Sequence, residues 1–377
     1  MRPISRRTML GSSAAALALA DPGGRRTFAY TGCYTTAERK ARGDGIHAYR
    51  VDPEIGDWTH IQHVGALVNP SFLVVSRDGR FLYSVHGDET HASAFSVNAE
   101  TGQLTLLNTA ATGGRNGVSL ALDPAGRFLI VANYASGNVG VLPVSPDGRL
   151  SDAAHVAPLI GQPGPHRVEQ AASHPHQIVF DPSGTFVLAP DKGLDRIFVF
   201  AFDAKGGKLV PTEPGWSVAR SGSGPRHAAF HPRLPVLWVL NELGNTVVTY
   251  QWNAGRLHAV QMLPSLPADY TGENTAAEIA VSADGRFVYC SNRGHDSIAI
   301  FAADAATGQL QFVGCVPSRG RSPRFITLDP TGRFLYAANE QSDTIVPFRI
   351  DPVKGTLTAV PAISVASPVA IAFATFA

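Results

Sequence analysis

The sequence predicts an all-β chain: a seven-bladed β-propeller whose ring is closed by N-terminal strands pairing with a C-terminal strand. Three observations predict it. First, one phrase recurs: "SRDGRFLYSVH" from Ser76, "DPAGRFLIVAN" from Asp123, "DPSGTFVLAPD" from Asp181, "SADGRFVYCSN" from Ser282 and "DPTGRFLYAAN" from Asp329, with an eroded copy, "HPRLPVLWVLN", from His231. Second, the spacing between copies suits a four-stranded blade. Third, each end of the chain carries part of a blade that the other end can complete.

Within each repeat the strands follow a fixed order. A short apolar strand opens the unit, at 71–75, 118–122, 176–180, 227–230, 278–281 and 324–328. An Asp-x-Gly turn comes next, where proline sets φ and glycine takes the positive-φ position. The second strand, rich in β-branched and aromatic residues, occupies 80–85, 127–132, 185–189, 235–240, 286–291 and 333–338. A third strand follows, as in "ASAF", "IFVF" and "IAIF", and a fourth opens at a further turn, as in "TGQL" and "GGKL". The first unit begins at the second strand type, "FAYTG" (28–32), while "SPVAIAFA" (367–374) is a first strand without followers. Joining them makes one blade and removes the open edge of the ring. A β-sandwich array gives no reason for those two fragments.

The chain has 377 residues, 44% hydrophobic and 16% charged, enough apolar content for one large core. A formal charge of +1 without a clustered basic face argues against nucleic acid as a partner. Residues 1–20 read as a cleaved twin-arginine-type export signal: Arg6 and Arg7 precede a short apolar stretch, and "ALALA" ends in an A-x-A site at Ala20. That stretch is too short to span a membrane. Its removal takes away Arg2, Arg6 and Arg7 and no acid, so the net charge changes from +1 to −2. The expected mature protein is residues 21–377, a single propeller domain, monomeric and exported to the periplasm or beyond. Cys33, Cys290 and Cys315 form neither a metal nor a redox motif and read as small buried hydrophobes. One disulfide among them stays open.

Strand polarity locates the site. The Asp-x-Gly turns lie on one face of the disc, so residues before strand one and after strand two lie on the other, around the central channel. Those are the positions where the copies diverge. Before strand one stand Asn69, His174, His176, Arg226, His227, Glu278 and Arg324; after strand two stand His86, Asn133, Asp191, Glu242, Arg293 and Glu340. A ring of Asn and Asp can simply cap loops. Three arginines at one mouth instead call for balancing carboxylates or an anionic ligand. His174 and His176, at i and i+2 of a strand, would face the same way. They lack a third ligand of the expected type, so no metal or other cofactor is expected. The segment 157–176 lengthens one repeat and brings Arg167, Glu169 and Gln170 to the same mouth, as binding loops do.

The stretches "HPHQIVFDPSG", "GPRHAAFHP", "NELGNTV" and "SNRGHDSIAIF" resemble the seven-bladed propeller lactonases, which include a bacterial 6-phosphogluconolactonase and have fungal carboxy-muconate lactonizing enzymes as relatives. The resemblance covers residues 27–374 and implies hydrolysis of a sugar-type lactone by activated water. It implies four catalytic residues: His176 in "HPH", Arg226 in "GPRH", Glu242 in "NEL" and Arg293 in "SNRG". His174, His227, Arg324, Glu278, Asn133 and Arg167 are then the expected substrate-binding set around them. Either Glu242 or His176 can serve as the base. The export signal departs from the family's cytoplasmic phosphorylated substrate and points to an unphosphorylated aldonolactone or another external lactone. A muconate-type cycloisomerase and a non-enzymatic propeller that binds an anionic ligand or partner are the alternatives.

Overall fold

The computed structural model describes residues 25–377; the expected export signal lies outside the described residues. Seven antiparallel sheets form the ring. Blade 1 joins the ends of the chain, in the order Pro368–Phe376, Arg26–Cys33, Ile46–Val51 and Trp58–Val64. Its two inner strands pair from Arg26 opposite Phe376 to Cys33 opposite Pro368, as the two fragments foretold. Blades 2 to 7 begin at Pro70, Gly117, Val179, Pro225, Thr275 and Pro323, each with its inner strand at the axis. All the predicted second strands are present within a residue or two of their expected bounds.

The repeated phrase holds neighbouring blades together. Its phenylalanine packs on a glycine in the turn between the third and fourth strands of the next blade. Phe28 lies on Gly102, Phe81 on Gly148, Phe128 on Gly207 and Phe334 on Gly56. A Cβ on Gly207 would stand 2.3 Å from the Phe128 ring, and the residue's φ is +63°, so glycine is needed there twice over. The aromatic residue two positions on adds a hydrogen bond to the same turn. Tyr30 Oη donates to the Gly102 carbonyl at 2.9 Å, and Tyr336 Oη donates to that of Gly56 at 3.0 Å. In the eroded copy Trp238 Nε1 donates to Gly308 at 3.0 Å. There, His231 replaces the turn aspartate, its Nδ1 accepting from the Arg233 and Leu234 amides at 2.9 and 2.8 Å. Glycine and aromatic residues therefore recur because each blade is clipped to the next.

Cys33 and Cys290 are buried and Cys315 is half-buried, all as free thiols. No helix among the described residues is long and apolar enough to cross a membrane.

Candidate active site

The mouth end of the inner strands is built irregularly. Pairing with the second strand skips a residue at Arg226 in blade 5 and at Arg324 in blade 7, and it is interrupted around Ala277 and Glu278 in blade 6. A β-bulge turns its extra residue away from the regular alternation. Here that re-aims two arginines and a glutamate toward the axis. Above them opens a cavity of about 990 Å³, lined by four cationic side chains (Arg39, Lys192, Arg293 and Arg324) and three carboxylates (Glu169, Glu242 and Glu273). His176 and Tyr134 also reach it.

Glu242 is the electrostatic hub. Its Oε2 lies 2.9 Å from Arg226 Nε, and its Oε1 lies 3.2 Å from Arg293 Nη2 and 3.4 Å from Lys192 Nζ. Burial alone would raise its pKa, but Arg293, Lys192 and Arg226 outweigh it and hold the carboxyl far below its ordinary value. Glu242 is therefore ionised and a poor proton acceptor. Burial pushes the Arg226 guanidinium down to about 10 against the pull of Glu242, which leaves it charged at neutral pH. Arg226 also donates to the Ala277 carbonyl, tying blade 5 to blade 6 under the cavity floor.

His176 ends a chain of three buried groups from successive blades. Glu278 Oε1 lies 2.7 Å from His227 Nδ1, and His227 Nε2 lies 3.2 Å from His176 Nδ1. A carboxylate can only accept, so His227 carries its proton on Nδ1 and presents Nε2 as an acceptor. His176 must then carry its proton on Nδ1, which leaves Nε2 with a lone pair. That nitrogen makes no hydrogen bond among the described residues. Burial, reinforced by Arg226 and His227, holds the His176 pKa well below 6.5, so the imidazole is neutral. His227 is likewise lowered by burial, against the opposing pull of Glu278.

The sequence-predicted residues thus divide into groups. His176, Glu242, Arg293 and Arg324 line the cavity. Arg226, His227 and Glu278 do not line it; they border a smaller space that adjoins it at His176 and Arg324. Asn133 is a correction. Its side chain is fully buried and its Nδ2 donates to Asn138 Oδ1 in its own blade at 2.8 Å and to the carbonyl of Thr112, just past the last strand of blade 2, at 3.1 Å, so it caps a blade junction. Asn292 and Asn339 do the same to the Ser265 and Ser318 carbonyls. Arg167 is a second correction: it is exposed and does not line the cavity, whereas Glu169 does and pairs with Lys192 Nζ at 2.6 Å. Buried Gln170 anchors that loop through Nε2 to the Lys192 carbonyl and Asp195 Oδ1, both at 2.8 Å. His174 is a third. Only Val179–Phe180 of the expected strand 176–180 is regular, with Pro175 between the two histidines. His174 instead stacks on Tyr134 with ring centroids 4.3 Å apart, while His176 meets the same ring edge-on at 5.6 Å.

Sequence reasoning missed Tyr134, Lys192 and Arg39. The signal for two of them was present: Tyr134 follows Asn133 and Lys192 follows Asp191, as Glu242 follows Asn241 and Arg293 follows Asn292. In each pair the first residue caps the blade and the second turns to the mouth. Arg39 comes from the loop of blade 1, which has no counterpart in the repeat, and is held by Asp88 at 2.7 and 2.8 Å.

Fold and cavity define a propeller with a polar, cation-rich small-molecule site at one end of its axis. The chain belongs to the lactonase, 7-bladed beta-propeller family, whose model matches residues 28–373. It is 35% identical over 306 residues to a 6-phosphogluconolactonase of Bacillus subtilis, covering 80% of this chain and 85% of that protein. It is 31% identical over 305 residues to one from Formosa agariphila, covering 78% and 84%. Among solved structures, the periplasmic gluconolactonase of Pseudomonas aeruginosa superposes with a TM-score of 0.85 at 30% identity, covering 93% of this chain and 99% of that one.

Proposed function

We propose that the protein is an exported hydrolase of unphosphorylated sugar lactones, with His176 as the base. One observation carries the reading: the Glu278–His227–His176 chain leaves a neutral imidazole with its free Nε2 in a cavity whose other wall is cationic. His176 Nε2 takes a proton from water as the water oxygen bonds to the lactone carbonyl carbon. The negative charge that forms on the carbonyl oxygen is met by Lys192 and Arg293, both held in place by Glu242. Collapse of that intermediate breaks the bond to the ring oxygen, which recovers the proton from His176 and leaves as a hydroxyl. Glu242 thus orients the cations and does not take the proton. Export is supported by Arg6, Arg7 and Ala20 and by the likeness to a periplasmic gluconolactonase.

The test is turnover of D-glucono-1,5-lactone and its 6-phosphate, followed by proton release. The unphosphorylated lactone should be the better substrate by kcat/KM. His176→Gln should lower kcat by about 10²–10⁴-fold, the usual worth of a general base, with gluconate still bound. Full activity in that variant removes His176 from the mechanism. A preference for the phosphate ester removes the substrate assignment and leaves the base assignment standing.

A further inference from the structure

Blade 1 carries a second cluster of chemistry-bearing side chains, at its outer edge and away from the cavity. His47 on Ile46–Val51 stands directly opposite His63 on Trp58–Val64. Between Ala48 and Tyr49 the register shifts by one residue, so Tyr49 pairs with His60 and not with Ile61. Without that bulge His60 would point to the opposite face from His63; with it, both share a face with His47. Three imidazoles thus converge. The His47 and His63 rings stack at 4.8 Å with 16° between planes, and His47 Nδ1 lies 3.1 Å from His60 Nε2.

Asp44 completes the group. Its Oδ1 is 2.7 Å from His47 Nε2 and its Oδ2 is 3.3 Å from His63 Nε2. Gly45 allows this approach: its φ is +147° and a Cβ there would stand 2.1 Å from the Val64 carbonyl oxygen. None of these four side chains lines the cavity of the lactone site.

We propose that Asp44, His47 and His63 form a binding site for a divalent transition-metal ion of the zinc class. One ligand atom from each lies within 4.8 Å of the other two. Four-coordinate zinc with bonds near 2.0–2.1 Å needs ligand atoms about 3.3 Å apart; the Asp44–His63 contact has that spacing, and the 2.7 Å Asp44–His47 contact would open by about 0.6 Å to take the ion. Imidazole nitrogens select zinc, copper or nickel over magnesium or calcium. With His47 ligating through Nε2, its Nδ1–H is left to donate to His60 Nε2, the outer contact that fixes tautomer and ring orientation. Asp44 and His63 are 59% and 39% exposed in their side chains, so the site opens to solvent and its fourth position falls to water.

The experiment is calorimetric titration of the purified chain, without a histidine tag, with zinc chloride and separately with magnesium chloride. One zinc ion per chain and no magnesium should bind. His47→Ala and His63→Ala should each abolish that isotherm, and His60→Ala should weaken it about tenfold, as loss of an outer-shell partner does. Melting temperatures without metal show whether the variants are folded; His63→Gln, which keeps a polar side chain, replaces His63→Ala if that variant fails. The proposal is overturned if the native chain gives no saturable zinc isotherm. It is equally overturned if folded His47 and His63 variants bind zinc as tightly as the native chain.

Discussion

Glu278→Gln tests the proposed proton path most directly. The substitution conserves shape, and an amide oxygen in the Oε1 position can still accept from His227 Nδ1 and from the Ile279 amide at 3.0 Å. The tautomers therefore survive and only the negative charge is removed. When His176 takes the proton, the two hydrogen bonds and the His227 ring place the charges roughly 8 Å apart, worth about 2 kcal/mol at an effective dielectric of about 20. If the proton passes on to His227, the separation shortens to about 4 Å and the interaction grows to about 4 kcal/mol. The corresponding fall in kcat is about 30- to 1000-fold. KM should hold, because Glu278 does not line the cavity. Steady-state kinetics on the lactone, with pH profiles for both proteins, provide the assay. Removing a negative charge behind the imidazole must also move the acid limb of the variant to lower pH. Glu340→Gln is the control: its contact with Arg324 is 3.9 Å long, and turnover should change less than about threefold. A Glu278→Gln protein that melts normally, turns over within threefold of the native chain and keeps its pH profile would refute the relay.

Three further outcomes are expected. The His176 pKa lies well below 6.5, so its active neutral form persists into acid, and kcat/KM should stay level from pH 8 through pH 6.5 and fall only below that; a decline already centred near pH 6.5 would contradict it. Gly207→Ala meets both the Phe128 ring and a positive φ and should cost about 2–5 kcal/mol in denaturant unfolding, whereas Gly126→Ala, with nothing within 4 Å, should cost only the backbone penalty of about 1–2 kcal/mol. Arg6→Lys with Arg7→Lys should leave uncleaved protein in the cytoplasm, seen by fractionation; normal processing after Ala20 would rule out the twin-arginine route.

The architecture was legible because its determinants are local and repeated. Turn glycines, the Phe on the next blade's turn and the alternating strands recur with each unit, and the two end fragments specify each other. The site was only partly legible. Strand polarity brought His176, Glu242, Arg293 and Arg324 to one mouth. It could not separate Asn133, which turns into its blade, from Tyr134 beside it, because that choice depends on which residue meets the Thr112 carbonyl. Nor could it foresee that Arg226, His227 and Glu278 border the smaller adjoining space and not the cavity itself. Bulges at the inner strands set that division, and bulges leave no mark in a period-two pattern. His174 and His176 were read as strand neighbours, but the long loop enters there: they flank an isolated bridge from Pro175 to Asp191, and the regular strand begins only at Val179.

Closure of the ring through blade 1 also sets a schedule. Blades 2 to 7 are built from strands adjacent in sequence, and each can form as its own residues appear. Arg26–Cys33 is different: its inner neighbour is Pro368–Phe376, almost the whole chain away. At synthesis rates of about 5–20 residues per second, that wait lasts roughly 20 to 70 seconds. Throughout it, Arg26–Cys33 presents a row of unpaired backbone donors and acceptors, the kind of edge that recruits another chain. The earliest strand to be made is thus the last to be finished, and the nascent protein's greatest exposure to misassembly falls before its final nine-residue strand arrives.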